Sequence, residues 1–128
     1  MHLNPDSLPV PSGYSHGISV PAGQLLFIAG QIAVNKDNQI VSDDLAEQFD
    51  QALANVIAVL SAGGGKPENV TRIVIYVTDK IEYRNQRSEI GKRYQKHMGK
   101  HFPAMVLVQV VALLDDAAKV EIEAIAVI

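Results

Sequence analysis

Apolar residues alternate between two spacings along this chain. Residues 18–20 and 25–29 are short apolar runs separated by the turn signal Pro21-Ala22-Gly23, the pattern of two strands. Residues 32–34 and 40–41 flank Asn35-Lys36-Asp37-Asn38, a polar run fitted to a tight loop. The first forty residues therefore read as a small antiparallel meander behind an irregular, proline-rich arm. From Asp44 the period changes to 3.6. Leu45, Phe49, Leu53, Val56 and Leu60 recur three and four apart, the stripe of one helix face. Asp44 and Glu47 form a capping-box pair, and Gly63 offers a left-handed stop.

Residues 70–78, VTRIVIYVT, are rich in β-branched side chains, with Ile73, Ile75 and Val77 on one side and Val74 and Tyr76 on the other. Asp79 and Glu82 predict the cap of a second helix with an inward stripe of Tyr83, Arg87, Ile90, Tyr94 and Met98, ended by Gly99 and Pro103. Residues 105–113 and 119–128 close the chain as two strands. The order predicts one α+β domain over residues 1–128, a two-layer fold with a mixed sheet of about six strands and two helices on one face. Strands apolar on both sides then leave one sheet face uncovered. A second subunit covers such a face, or else the N-terminal arm folds over it.

Composition narrows the function classes. A length of 128 residues suits one domain, and 48% apolar with 20% charged residues is globular, not disordered. A net charge of −3 gives no basic excess for nucleic acid or membrane surfaces. The absence of cysteine excludes disulfides, thiolate metal sites and a cysteine nucleophile, and fits a reducing compartment. The leading residues lack the order of a signal peptide, and the apolar stretch 104–114 is interrupted by Gln109 and too short to span a bilayer. A cytoplasmic domain is expected, with neither membrane nor nucleic-acid partners.

Gly63-Gly64-Gly65-Lys66 fails as a phosphate-binding loop, because Leu60 and Pro67 stand where glycine and Ser or Thr are needed. His97 and His101 are four apart, but Gly99 breaks the helix between them, so neither metal nor cofactor is expected. Lys92, Arg93 and Lys96 project opposite the apolar stripe beside Glu89 as a solvated face, within a basic run that includes Lys100. Arg87 lies inside the stripe and is a candidate cation for a cleft or partner.

Better candidates lie elsewhere. Glu121 and Glu123 are two apart on the last strand and share a face with Ile125 and Val127, a setting suited to acid–base work if it is partly shielded from water. Tyr14 and His16 sit between Gly13 and Gly17, in a loop able to meet a polar ligand closely. Gly30, after a strand, either presents its backbone N–H to a ligand or makes a bulge.

Taken together, Gly13-Tyr14-Ser15-His16-Gly17, Leu26-Phe27-Ile28-Ala29-Gly30-Gln31-Ile32, Phe102-Pro103-Ala104 and Val120-Glu121-Ile122-Glu123-Ala124-Ile125-Ala126-Val127 resemble the Rid family of reactive-intermediate deaminases, also called YjgF or endoribonuclease L-PSP proteins. The resemblance covers nearly the whole chain. It implies a chorismate-mutase-like fold and a homotrimer with small-molecule clefts between subunits, where imines and enamines such as 2-aminoacrylate are hydrolysed. It further implies substrate contact by Tyr14, a ligand-facing backbone at Gly30 and water positioning by Glu121.

Four positions depart from the family pattern. Met105 stands where a carboxylate-binding arginine is expected, Ala29 replaces a hydroxyl, Ser88 stands where active members tend to have asparagine, and Gln109 replaces a glutamate. Without that arginine a charged hydrogen bond of about 1.5–3 kcal/mol is lost each time one would form. The chain thus resembles an arginine-lacking branch, suited to a neutral or differently charged ligand. Three readings follow: a C=N hydrolase, a non-catalytic ligand-binding or regulatory trimer, and a ribonuclease. The acidic balance and the lack of an arranged histidine pair count against the last.

Overall fold

A computed structural model describes residues 1–128. The apolar 3.6-residue stripe forms α1 (Leu45–Ala62), whose first turn is capped by the Asp44 carboxylate accepting from the Glu47 amide at 3.0 Å. Its exit differs in detail from expectation. Gly63 is right-handed, with φ −80°, and Gly64 at φ +85° is the left-handed residue.

Four strands form the main sheet in the order β3 (Leu25–Gln31), β6 (Val120–Val127), β4 (Val70–Val77), β5 (Ala104–Gln109). Only the β4–β5 pair is parallel. The other two strands, β1 (His2–Leu3) and β2 (Gly17–Ile18), form a separate ribbon. The expected six-stranded sheet is therefore four plus two, and the N-terminal meander does not exist. β3 pairs with the end of the chain, and 32–34 and 40–41 meet only in a Val34–Ile40 bridge. Short apolar runs state that a strand exists but not which strand it joins.

Between the parallel strands the expected second helix is broken into α2 (Lys80–Asn85) and α3 (Arg87–Met98), so the layer has three helices. Gln86 sits at the break. Its side chain accepts from the Ala46 amide at 2.9 Å and donates to Asp44 at 3.2 Å, which fixes the break against the start of α1. The basic face of α3 is not simply solvated. Arg93, Lys96 and His97 all reach Asp50 of α1, at 3.2, 3.1 and 2.6 Å. Burial alone would raise the Asp50 carboxyl pKa, but hydrogen bonds from His97 and Lys96 outweigh it and hold it below its ordinary value. His101 donates instead to the Val70 carbonyl at 2.7 Å.

The core lies between the helices and one sheet face, where Ile73, Ile75, Val77, Val120 and Ile122 meet Leu45, Phe49, Leu53 and Val56. Two buried or half-buried amides anchor the sheet to α1. Gln48 donates to the Ser42 and Ala117 carbonyls and accepts from the Lys119 amide, which fixes the start of β6. Asn55 donates to the Ile32 and Val34 carbonyls just beyond β3, at 3.0 Å each. No helix is long and apolar enough to cross a membrane.

Candidate functional site

The other sheet face is open. Leu25, Phe27, Val106 and Val108 point away from the helices and are 58, 69, 44 and 39% exposed. The N-terminal arm does not cover them. It is tied to the β5 end of the sheet, where Ser15 bridges Ala104, the Ser15 amide donates to the Pro103 carbonyl at 3.1 Å, and Ser15 Oγ donates to the Phe102 carbonyl at 2.6 Å. Ser15 Oγ in turn accepts from His2 Nδ1 at 2.8 Å. Of the two covers weighed from the sequence, the arm is eliminated.

Polar groups interrupt this open face along one strand pair. Alternation puts Glu121, Glu123 and Ile125 of β6 outward, with Tyr76 opposite Glu121 and Val74 opposite Glu123. Tyr76 Oη donates to Glu123 at 3.3 Å. Partial desolvation and then the Glu123 carboxylate push the Tyr76 phenol above its ordinary pKa, while Arg72 acts in the opposite sense. Arg72 and Glu123 also line a depression of about 360 Å³ with Phe27 and Ala29. Sequence reasoning missed this role for Arg72 and Tyr76. Their outward alternation with Val74 was readable, but facing the glutamates depends on the β4–β6 register.

Glu121 meets Gly30. The β3–β6 ladder shifts register between Ile28 and Gln31, so Ala29 and Gly30 form a bulge. A Cβ built on Gly30 would overlap the Glu121 carboxylate, lying 2.9 Å from its Cδ. Only glycine leaves that space. Gln31 Nε2 donates back to the Ala29 carbonyl at 3.1 Å, which steadies the bulge. Gly30 and Glu121, 91 residues apart, thus make one half of the candidate site together with Ala29.

Tyr14 and Met105 belong to another part of the chain. Tyr14 stacks edge-on against His16 with ring centroids 5.3 Å apart, and His16 Nε2 donates to the Pro9 carbonyl at 2.8 Å. The Ser15–Ala104 bridge holds this loop beside the start of β5, next to Met105. Met105 pairs with Ile73 and packs half-buried against the helix-side core, the opposite face of the sheet from Glu121. Arg87 and Ser88 are exposed at the start of α3. Burial pushes the Tyr83 phenol up, and the Arg87 charge opposes it. Gln109 Oε1 accepts from the Lys80 amide at 2.9 Å, a structural tie at the start of α2. A single chain therefore brings Gly30, Ala29 and Glu121 together and sets the Tyr14 loop at the start of β5. It does not join the two groups, nor bring Arg87 and Ser88 to either glutamate.

Comparison with known proteins agrees with these motifs. The family model for endoribonuclease L-PSP matches residues 6–128. A RutC family protein of Pyrococcus horikoshii is 37% identical, covering 94% of this chain and 92% of its own. The 2-iminobutanoate/2-iminopropanoate deaminase of Escherichia coli K12 is 34% identical, covering 89% and 86%. The crystal structure of the Rid-family protein YyfB from Yersinia pestis superposes with a TM-score of 0.89 at 32% identity, covering 100% of this chain and 98% of that one. The Escherichia coli YjgF structure gives 0.72 at 31% identity, with 99% and 98% covered. The chain belongs to the endoribonuclease L-PSP family, the Rid or YjgF proteins.

Proposed function

We propose that this protein hydrolyses the C=N bond of a small imine, or of an enamine after tautomerisation, in clefts between the subunits of a homotrimer. The observation that carries the reading is the Glu121 carboxylate lodged against Gly30 on an otherwise apolar, uncovered face. The name of the Escherichia coli relative as an iminobutanoate and iminopropanoate deaminase supports the same chemistry.

Distance argues for more than one subunit. Neighbouring strands lie about 4.8 Å apart, so β3 and β5, three spacings apart, are separated by about 14 Å. A small imine cannot touch both half-sites of one chain. A second copy laid on the open face brings its own half-site across that gap, so each cleft takes Tyr14 from one subunit and Gly30 with Glu121 from another.

In such a cleft Glu121 accepts a proton from water as the water oxygen bonds to the imine carbon and the π pair moves to nitrogen. Glu121 returns that proton to the nitrogen, giving a carbinolamine, then takes the carbinolamine hydroxyl proton and passes it to the same nitrogen, which leaves as ammonia as the carbonyl forms. Tyr14 orients the substrate, and the Gly30 backbone meets it where no side chain intervenes.

Met105 favours a second reading. A thioether gives an adaptable apolar wall and cannot hold a carboxylate as a guanidinium does. On that reading the trimer binds a ligand without turning it over. Ammonia release from freshly generated 2-aminoacrylate separates the two. Hydrolysis predicts release above the spontaneous rate and a loss of about a hundredfold in Glu121→Ala. Release by wild type no faster than buffer, with activity gained in Met105→Arg, supports the binding trimer.

A further inference from the structure

One row of the open face runs across three neighbouring strands and carries Gly30 of β3, Glu121 of β6 and Tyr76 of β4. Glu121 is flanked by the bare Gly30 backbone on one side and by Tyr76 on the other. The β4–β6 register sets Tyr76 directly opposite Glu121, and Val74 opposite Glu123. On one face of an antiparallel pair, opposed residues have Cβ atoms about 5 Å apart and diagonal ones about 7 Å, a reach that an aromatic side chain covers. Tyr76 takes the diagonal, and its Oη donates to Glu123 at 3.3 Å. That is long for an O–H···O bond, ordinarily about 2.7–2.8 Å, so the hydroxyl is held loosely. Glu121, the directly opposed carboxylate, has no such donor. Partial desolvation and then the glutamates push the Tyr76 phenol above its ordinary pKa, against Arg72, so it is a protonated donor at neutral pH. One hydroxyl thus stands before two carboxylates.

We propose that Tyr76 is a positioning residue for Glu121, its single hydroxyl shared between Glu123 and Glu121. The inference rests on the imine-hydrolase reading for its catalytic consequence, but not for the sharing itself. The proton stays on the tyrosine throughout. Donation to one Glu121 oxygen fixes the plane of the carboxylate and leaves the other oxygen to take the proton of the attacking water. Glu123 is the second acceptor that keeps the hydroxyl in place. A residue of this kind changes turnover and not substrate affinity, because it touches the carboxylate and not the substrate. A tyrosine that only packed would act through its ring, which phenylalanine retains.

The test follows the Tyr76 ring carbon that bears the hydroxyl by ¹³C NMR of the full-length protein, with Tyr76→Phe assigning its signal among the four tyrosines. Sharing predicts that Glu123→Ala leaves this signal close to its wild-type position, because the hydroxyl turns to Glu121. Only the double variant Glu121→Ala/Glu123→Ala moves it to the position of a phenol bonded to water. In ammonia-release assays Tyr76→Phe is expected to lower kcat about fivefold at unchanged KM, the effect of one hydrogen bond. A Glu123→Ala signal already equal to that of the double variant would overturn the assignment. So would a Tyr76→Phe protein with unchanged kcat, or one altered in KM alone. If wild type releases no ammonia above buffer, the hydrolase reading fails and the signal comparison alone decides the sharing. If Glu121→Ala abolishes turnover while Glu123→Ala matches the double variant, this inference fails and the hydrolase reading stands.

Discussion

On the helix side of the sheet, Ile73, Ile75 and Val77 of β4 lie beside Val120 and Ile122 of β6, and all are buried. On the other side the same strands carry Arg72, Val74 and Tyr76 against Glu121, Glu123 and Ile125, flanked by the exposed Phe27 and Val106. The covered face is uniformly apolar and its neighbours are set by α1. The open face is apolar at its borders and polar along one strand pair, and its glutamates meet Tyr76 and Gly30. A face that only held the fold together would need no carboxylate against a glycine bulge. A solvated face would not display Phe27 and Leu25. The mixture is what the proposed function asks of this face, a surface shared between subunits.

The largest expected effect comes from placing a charge on the open border. In the proposed trimer Phe27→Asp buries an unpaired carboxylate at every subunit contact, each costing several kcal/mol, and is expected to reduce the sedimenting mass from three chains to one of 13.9 kDa. If the mass does not change, Phe27 lies outside the shared surface. On the covered face, Phe49→Ala is expected to cost about 3–5 kcal/mol in denaturant unfolding of the chain, through a cavity under the sheet. Equal effects of these two substitutions on assembly and on unfolding would erase the distinction between the faces.

Gly30→Ala sharpens it further. The new methyl displaces the Glu121 carboxylate, so ammonia release is expected to drop by about tenfold or more while thermal stability changes by about 1 kcal/mol or less. The smallest effect lies away from both faces, at Asp50. Its carboxyl titrates below the ordinary range in the folded protein, so it adds stability at neutral pH and loses it as pH falls through the depressed value. Asp50→Asn should cost about 1 kcal/mol at pH 7 and flatten the acid limb of the stability curve below about pH 4.

Much of the covered face was legible in the amino-acid order. The α1 stripe, the Asp44 and Asp79 caps and the alternation of residues 70–77 are local signals, and each corresponds to an element. Non-local choices were not legible. The partner of β3 lies about a hundred residues away, and the break between α2 and α3 depends on Gln86 reaching α1. The candidate site divides in the same way. Glu121, Gly30 and Tyr14 stand out as residue types in short motifs. That a Gly30 Cβ would collide with Glu121, that Tyr76 faces Glu123, and that Met105 turns toward the helices are consequences of register, bulge and edge position.

Subunit mixing examines the shared cleft most directly. Glu121→Ala and Tyr14→Ala chains, each inactive alone, are unfolded together, refolded at equal amounts and assayed for ammonia release. If Tyr14 and Glu121 meet across a subunit boundary, about one cleft in four regains both native residues, and about a quarter of the wild-type rate returns. A mixture as inactive as its two parents would show that both residues serve the same chain, and would contradict the account.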